Sequence, residues 1–325
     1  MKRIRALLLL SFAALGGIAL FVSRSDATPG TVRIVVPGVW FREGETDLGH
    51  CNNVIIEMKD YLIVVDANYP GGARSTMIDV KRISSKPVKY VFDTHHHADH
   101  IYGNILWTQA GATTLAFKEV AEELKRFEPT RWRASAKTRE DVAELQRDGP
   151  EPPKQDIDQS RFVLKDGSRT VEFHHFGWAH TRGDGFVYLP KEQVLSSGDA
   201  VVNGPYNNLM DANIGNWPTV LRAAEKLKVK YVLPGHGLAG GRELIGGQEQ
   251  FLVELHRAVK AGIDAGKKLE DLQASIKLPE AVSPWVGQSL LKRQIKDTYD
   301  EISQGKPRGD LPHKPVAQAL LHNAT

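Results

Sequence analysis

Cysteine is nearly absent from this sequence: Cys51 is the only one in 325 residues. No internal disulfide can form, so the fold must be held by burial and hydrogen bonding alone. A lone cysteine just before an apolar strand is expected to be a buried small hydrophobe rather than a nucleophile. No internal repeat of fixed period and no low-complexity tract occurs, which excludes repeat architectures. Excess charge is lacking as well. The formal +3 lies in the first 27 residues, where Lys2, Arg3, Arg5 and Arg24 stand against Asp26. Setting these aside removes four of the 42 basic and one of the 39 acidic residues, so the remaining body is formally neutral. A neutral body gives no basic patch for nucleic acid or an anionic membrane.

What is present is the composition of a globular protein, 41% hydrophobic and 25% charged, with length for one substantial core and appendages. Residues 1–27 have the form of a secretory signal peptide: a basic start, the apolar run Ala6 to Val22, and small residues at Ser25-Asp26-Ala27. The expectation is a periplasmic or secreted protein. The alternative is an uncleaved membrane anchor, although the run is at the short end of what spans a bilayer and contains Gly16 and Gly17.

Short apolar, β-branched runs predict strands at Val32–Val36, Asn53–Met58, Tyr61–Asp66 and Val88–Phe92, with Lys59-Asp60 as a hairpin turn. Further strands are predicted at Thr170–Phe176, Phe186–Leu189, Gln193–Ser196 and Lys230–Leu233. Helical periodicity marks Gly72–Ser84, Phe117–Phe127 and Pro218–Leu227. Strand pairs followed by helices, occurring twice, predict an α/β protein in which two sheets pack face to face under outer helices, a four-layer αββα sandwich. Residues 28–242 form this catalytic domain, with 129–153 as a proline-bounded insertion. Residues 243–325 form a C-terminal helical extension, with helices at Gln248–Ala265, near Leu269–Ile276 and near Val286–Ile302, ending in a frayed polar segment.

The strand Val88–Phe92 runs into His95-His96-His97-Ala98-Asp99-His100. In an extended segment alternate side chains share a face, so His95, His97 and Asp99 can point together, and a turn brings His100 beside them. Four metal-competent groups in six residues at a strand end suit zinc, which takes imidazole nitrogen and carboxylate oxygen. Three more candidates follow strands and have glycine nearby: His180 in His180-Thr181-Arg182-Gly183-Asp184, Asp199 after Gly198, and His236 between Gly235 and Gly237.

His-x-His-x-Asp-His followed by His, Gly-Asp and Gly-His-Gly resembles the signature of the metallo-β-lactamase superfamily, over roughly Val32 to Gly241. The resemblance implies an αββα fold and two Zn2+ ions. His95, His97 and His180 would bind one ion, Asp99, His100 and His236 the second, and Asp199 would bridge them. Asp66 would orient ligands from behind. The implied reaction is hydrolysis: two zinc ions sharing a water lower its pKa enough to supply a metal-bound hydroxide, which attacks a polarised carbonyl. By the same resemblance Asp99 would be the catalytic residue, orienting the nucleophile and carrying its proton. The partner is a small-molecule substrate; no obligate protein partner is evident.

The family also contains thioesterases, lactonases, phosphodiesterases and nucleases, so fold alone does not choose the substrate. True metallo-β-lactamases typically place Cys or Ser at the bridging position. Asp199 is more similar to the thioesterase, lactonase and phosphodiesterase branches. The tail shows no signature of the basic glutathione pocket that a glyoxalase II-type enzyme requires, and export argues against that cytosolic reaction. A cyclic amide, ester or thioester is the expected substrate.

For the pocket, Arg131 and Trp132, with Arg133, are candidates to hold a substrate carboxylate under an aromatic lid, with an amphipathic surface helix the favoured reading. Trp107 and Tyr102 are candidates for its walls, with core packing the alternative. Asn203, Tyr206 and Asn207 lie where the family places substrate-contacting loops. His174 and His175 read as structural, and His50, His96, His256, His313 and His322 as non-ligands. A di-iron redox module and a degenerate scaffold are the non-hydrolytic alternatives.

Overall fold

Period-two alternation divides each central strand between two cores. In the strand Leu62–Val65, Leu62 and Val64 join one apolar cluster, and Ile63 and Val65 join another. Phe186–Leu189 does the same, with Val187 and Leu189 on one side and Phe186 and Tyr188 on the other. A strand that is buried on both faces must lie between two further layers.

The protein is described here from a computed structural model covering residues 30–287 and 289–312. The predicted signal segment, most of the polar tail, His313 and His322 lie outside these residues. The first sheet holds β1 (Val32–Val36), β2 (Val39–Arg42), β3 (Asn53–Glu57), β4 (Leu62–Val65), β5 (Val88–Phe92), β6 (Thr113–Phe117) and β7 (Gln155–Ile157), in chain order. It is antiparallel through β4 and parallel from there to β7. The second sheet contains β8 (Arg161–Lys165), β9 (Thr170–His174), β10 (Phe186–Leu189), β11 (Val194–Gly198) and β12 (Tyr231–Pro234), in the order β12-β11-β10-β9-β8. Only β11 and β12 are parallel in that sheet.

Phe92, Phe117, Phe173, Val187 and Leu233 fill the space between the sheets. Outside the first sheet lie α1 (Pro70–Ile83), the single-turn α2 (Ala98–Ile101), α3 (Asn104–Gln109), α4 (Lys118–Ser135) and the short α5 (Glu140–Ala143). Outside the second lie α6 (Trp217–Glu225), α7 (Glu243–Asp264), α8 (Leu269–Ser275) and α9 (Leu291–Gln304), whose apolar faces share one cluster. The result is the four-layer αββα sandwich with C-terminal helices. Among the described residues no helix is long and apolar enough to cross a membrane.

Two departures from the sequence reading have physical causes. Helix α4 does not stop at Pro129 but runs through it to Ser135. A mid-helix proline forfeits a hydrogen bond and crowds the preceding turn. Here the far side is anchored by the buried Arg131, Trp132 and Ser135. Strands β2, β6, β7 and β8 escaped the apolar pattern. Strand β8 buries none of its residues, and β7 buries only Ile157.

Candidate metal centre

The site grows from strand ends. Strands β4 and β5 run parallel, and so do β11 and β12; loops leaving the carboxyl ends of such strands gather at one edge. Asp66 follows β4, the histidine run follows β5, Asp199 follows β11 and His236 follows β12. His180 lies on the loop between β9 and β10. Asn52 ties the two sheets together at this edge. Its N–H donates to the Gly235 carbonyl at 2.8 Å, and its side chain donates to Pro234 and Gly237. Two glycines permit the close approach. A Cβ on Gly235 would fall 2.0 Å from Asp199 Oδ1, and one on Gly198, whose φ is +50°, would fall 2.5 Å from Thr94 Oγ1.

All seven predicted ligands are buried and come together. The rings of His95, His97 and His180 form a triangle with centroids 4.7 to 4.8 Å apart, and His180 Nε2 lies 3.0 Å from His97 Nδ1. In the second set His236 Nε2 is 3.0 Å, and His100 Nε2 3.5 Å, from Asp99 Oδ2. The Asp199 carboxylate reaches both sets. Its Oδ1 is 3.4 Å from His100 Nε2, while its Oδ2 is 3.5 Å from His236 Nε2 and 3.7 Å from His180 Nε2.

The 3.4 to 3.7 Å spacings around Asp199 are long for hydrogen bonds and fit ligands of shared metal ions. A tetrahedral zinc with bonds of about 2.0–2.1 Å sets its ligand atoms about 3.3 Å apart. His95 Nε2, His100 Nε2 and Asp199 Oδ1 are buried without a hydrogen-bond partner among the described residues, a costly arrangement unless something else satisfies them. Burial pushes the imidazolium forms down: His97 to about 3, His180 to about 4 and His95 well below its usual value, with the neighbouring histidines adding to the effect. These rings are neutral at pH 7, with lone pairs available to a metal. For His100 and His236 burial acts downward too but is outweighed, by Cys51 and then Asp66, Asp199 and Asp99 at His100, and by Asp199 and Asp99 at His236, so both are raised.

The outer support is equally specific. Asp66, held at the positive φ of 67°, accepts from Thr94 N–H at 2.8 Å, and its Oδ2 lies 3.0 Å from His100 Nδ1. His95 Nδ1 meets the Thr94 hydroxyl at 3.1 Å, leaving Nε2 for the cluster. His97 is supported by a residue the sequence reading did not single out, Asp211, whose Oδ2 lies 2.8 Å from His97 Nε2 and 3.2 Å from His96 Nε2. The only trace of Asp211 in the sequence is an acid within Leu209-Met210-Asp211-Ala212.

Above the ligands a narrow pocket holds about 480 Å³ of space, part of it open to solvent. Tyr206 and Asn207 line it, and the Tyr206 ring stands 5.6 Å from that of His236. Asn203 does not line it, because its amide is spent on the Leu238 carbonyl at 2.8 Å, buttressing the His236 loop. Trp107, Arg131 and Trp132 are also removed from the pocket wall. Trp107 is buried against the first sheet and donates to the Ala67 carbonyl; Trp132 packs on Tyr102 and donates to Arg147. Arg131 is 4% exposed and forks onto Asp211 at 2.6 and 2.8 Å, with Glu128 at 3.0 Å. Tyr102 completes this network by donating to Glu128 at 2.6 Å. The far wall comes from α9, through Arg293, Gln294 and Asp297, none of which the sequence reading named.

The remaining histidines among the described residues stand off the site. His50 pairs with Glu45, His174 with Glu172, and His175 with the Asp184 carbonyl. Cys51 is buried, and burial pushes its thiol up to about 12.

A family profile described as the metallo-beta-lactamase superfamily matches residues 46–236. The chain is 27% identical over 231 residues to the type 2 metallo-beta-lactamase of Bacillus cereus, covering 66% of this chain and 80% of that protein. It is 32% identical over 108 residues to the type 2 enzyme of Bacteroides fragilis, covering 31% of this chain and 42% of that one. Among solved structures, a metallo-beta-lactamase from Pontibacter korlensis superposes with a TM-score of 0.54 at 20% identity, over 69% of this chain and 98% of that chain. One from Hirschia baltica superposes with a TM-score of 0.55 at 20% identity, again over 69% and 98%. At these identities the structural likeness establishes the fold alone.

Proposed function

The chain belongs to the metallo-beta-lactamase superfamily of hydrolases, and on that premise we propose that it is an exported dinuclear zinc hydrolase acting on the carbonyl of a small cyclic amide, ester or thioester. The observation that carries the reading is the position of Asp199, one carboxylate within 3.4 to 3.7 Å of histidines from both ligand sets. His95, His97 and His180 would hold one ion, Asp99, His100 and His236 the other, and Asp199 both. When bound, two such ions lower the pKa of a shared water toward neutrality and polarise a carbonyl oxygen.

The chain's own residues supply the rest. Asp99, with its Oδ2 between His100 and His236, orients the water and takes its proton on the carboxylate. Asp66 and Asp211 hold His100 and His97 in the ring orientation that points a lone pair inward. Tyr206 and α9 confine the substrate over the ligands. An aspartate at the bridging position favours the thioesterase, lactonase or phosphodiesterase branch over lactam hydrolysis as the main activity.

The purified chain from residue 28 should carry about two zinc ions, and Asp99→Ala should abolish turnover with the fold intact. A chain that binds mainly iron, or no metal, overturns the reading in favour of a redox or scaffold role. A panel of penicillin, carbapenem, acyl-homoserine lactone, thioester and bis-aryl phosphodiester substrates separates the branches. Export predicts a mature N-terminus just after Ala27, which N-terminal sequencing of the exported product would reveal.

A further inference from the structure

One turn beyond the last helix touches the supports of two metal ligands at once. Residues Arg308–Asp310 follow α9 and lie against the loops that carry Asp211 and His180. Gly309 N–H donates to the Ala212 carbonyl at 2.9 Å. A Cβ on Gly309 would fall 2.5 Å from the Asp211 carbonyl oxygen and 2.8 Å from Trp178 Cζ2, so the close approach of the two backbones requires glycine. The same Asp211 carbonyl accepts from Trp178 Nε1 at 2.9 Å. Trp178 stands two residues before His180, and the Ala179 carbonyl between them accepts from Asn213 N–H at 2.9 Å.

The turn is fixed on its other side to α9. Arg308 N–H donates to Glu301 Oε2 at 2.8 Å, and the same carboxylate takes Ile214 and Gly215 N–H at 2.9 and 2.6 Å. The Arg308 side chain is buried and donates from Nε to Asp297 Oδ1 at 2.7 Å. Asp310 pairs outside with Arg182 at 2.7 Å and Arg126 at 3.3 Å. Such part-exposed ion pairs contribute little, so the buried contacts carry the grip. The second ligand set is supported elsewhere, His100 by Asp66 and the His236 loop by Asn203 and Asn52.

We propose that Gly309 and Trp178 clamp the Asp211 backbone, and that this clamp sets how tightly His95, His97 and His180 hold their ion. The Asp211 carboxylate lies 2.8 Å from His97 Nε2, and a hydrogen bond weakens steeply as its geometry is lost. A shift of the Asp211 backbone is therefore felt at the ring. Gly309 and Trp178 are positioning residues, acting through Asp211 and the His180 loop. The C-terminal extension thereby tunes one ligand set and leaves the other alone. The proposal rests on the zinc reading of the centre, but its test does not require turnover.

Zinc affinity would be measured by chelator competition in two backgrounds, His236→Ala, which keeps the first set whole, and His95→Ala, which keeps the second. Gly309→Ala should loosen the first set about tenfold, the lower end of what loss of an outer support costs, and leave the second unchanged. Trp178→Phe removes the donor to Asp211 and keeps a ring. It should loosen the first set about two- to tenfold, the worth of one hydrogen bond, and it decides the matter if Gly309→Ala does not fold. Combined with Asp211→Asn, Gly309→Ala should add less than its full effect, because the contact that it disturbs is already weakened. Equal loss at both sets, an unchanged first set, or full additivity with Asp211→Asn overturns the proposal. So does a lowered urea midpoint with both affinities intact, which marks the turn as structural only. A native chain that binds no zinc removes the reading of the centre and the clamp together; two native ions without a selective loss remove the clamp alone.

Discussion

Asp211 lies 2.8 Å from Nε2 of His97, and it thereby fixes Nδ1 as the nitrogen that faces His180 at 3.0 Å. A carboxylate that holds a ring in this way sets both its tautomer and its angle. Asp211→Asn should weaken zinc at the first set by about ten- to a hundredfold. Chelator competition on the purified variant measures this directly, and an unchanged affinity would remove Asp211 from the role given to it.

Arg131 balances two buried acids, Asp211 and Glu128. Arg131→Ala leaves both without their cation and should cost about 3–5 kcal/mol, read as a drop in the denaturant midpoint. The loss should be similar in zinc-loaded and metal-free protein. A variant of native stability but impaired substrate binding would return Arg131 to the pocket.

Protons and metal compete for the same nitrogens, and the two sets differ in how strongly protons compete. Burial holds His97 near 3 and His180 near 4, so these rings stay unprotonated well below pH 6. His236 is raised by Asp199 and Asp99, and His100 by Cys51 together with Asp66, Asp199 and Asp99, so protons displace metal from their set at a higher pH. Acidification should release zinc in two steps, first from the Asp99, His100 and His236 set. Zinc content after dialysis at a series of pH values from 7 to 4 tests this order, and simultaneous loss of both ions would contradict it.

Trp107 belongs to the core beneath α3. Trp107→Ala should cost about 3–5 kcal/mol in stability, seen as a lowered midpoint in urea. The ratio of turnover between different substrates should not move; a changed ratio would place the ring on the pocket after all.

The layered fold was legible because β-branched runs and helical periodicity are local signals, and strands such as β4 and β10 carry them strongly. The clustering of His95 to His100 with His180, Asp199 and His236 was legible because each candidate follows a strand and has a glycine nearby. The pocket was much harder to read. Arg131-Trp132 looks like an aromatic clamp in sequence, yet α4 continues through Pro129 and turns both residues inward, where Asp211 waits from a loop 80 positions away. Asp211 and Arg293 carry no local signal at all. Their roles arise from tertiary proximity, which no pattern within a short window encodes.

The wall that α9 contributes lies well beyond residues 46–236, the stretch matched by the family profile. The pocket is therefore assembled from two parts of the chain, Tyr206 and Asn207 inside that stretch and Arg293, Gln294 and Asp297 beyond it. The α9 part of the wall can be exchanged without touching any residue that would hold an ion. This makes the tail a natural graft point for redirecting the enzyme, provided that a replacement helix keeps the Glu301 and Gln294 anchors by which α9 is moored to the sandwich.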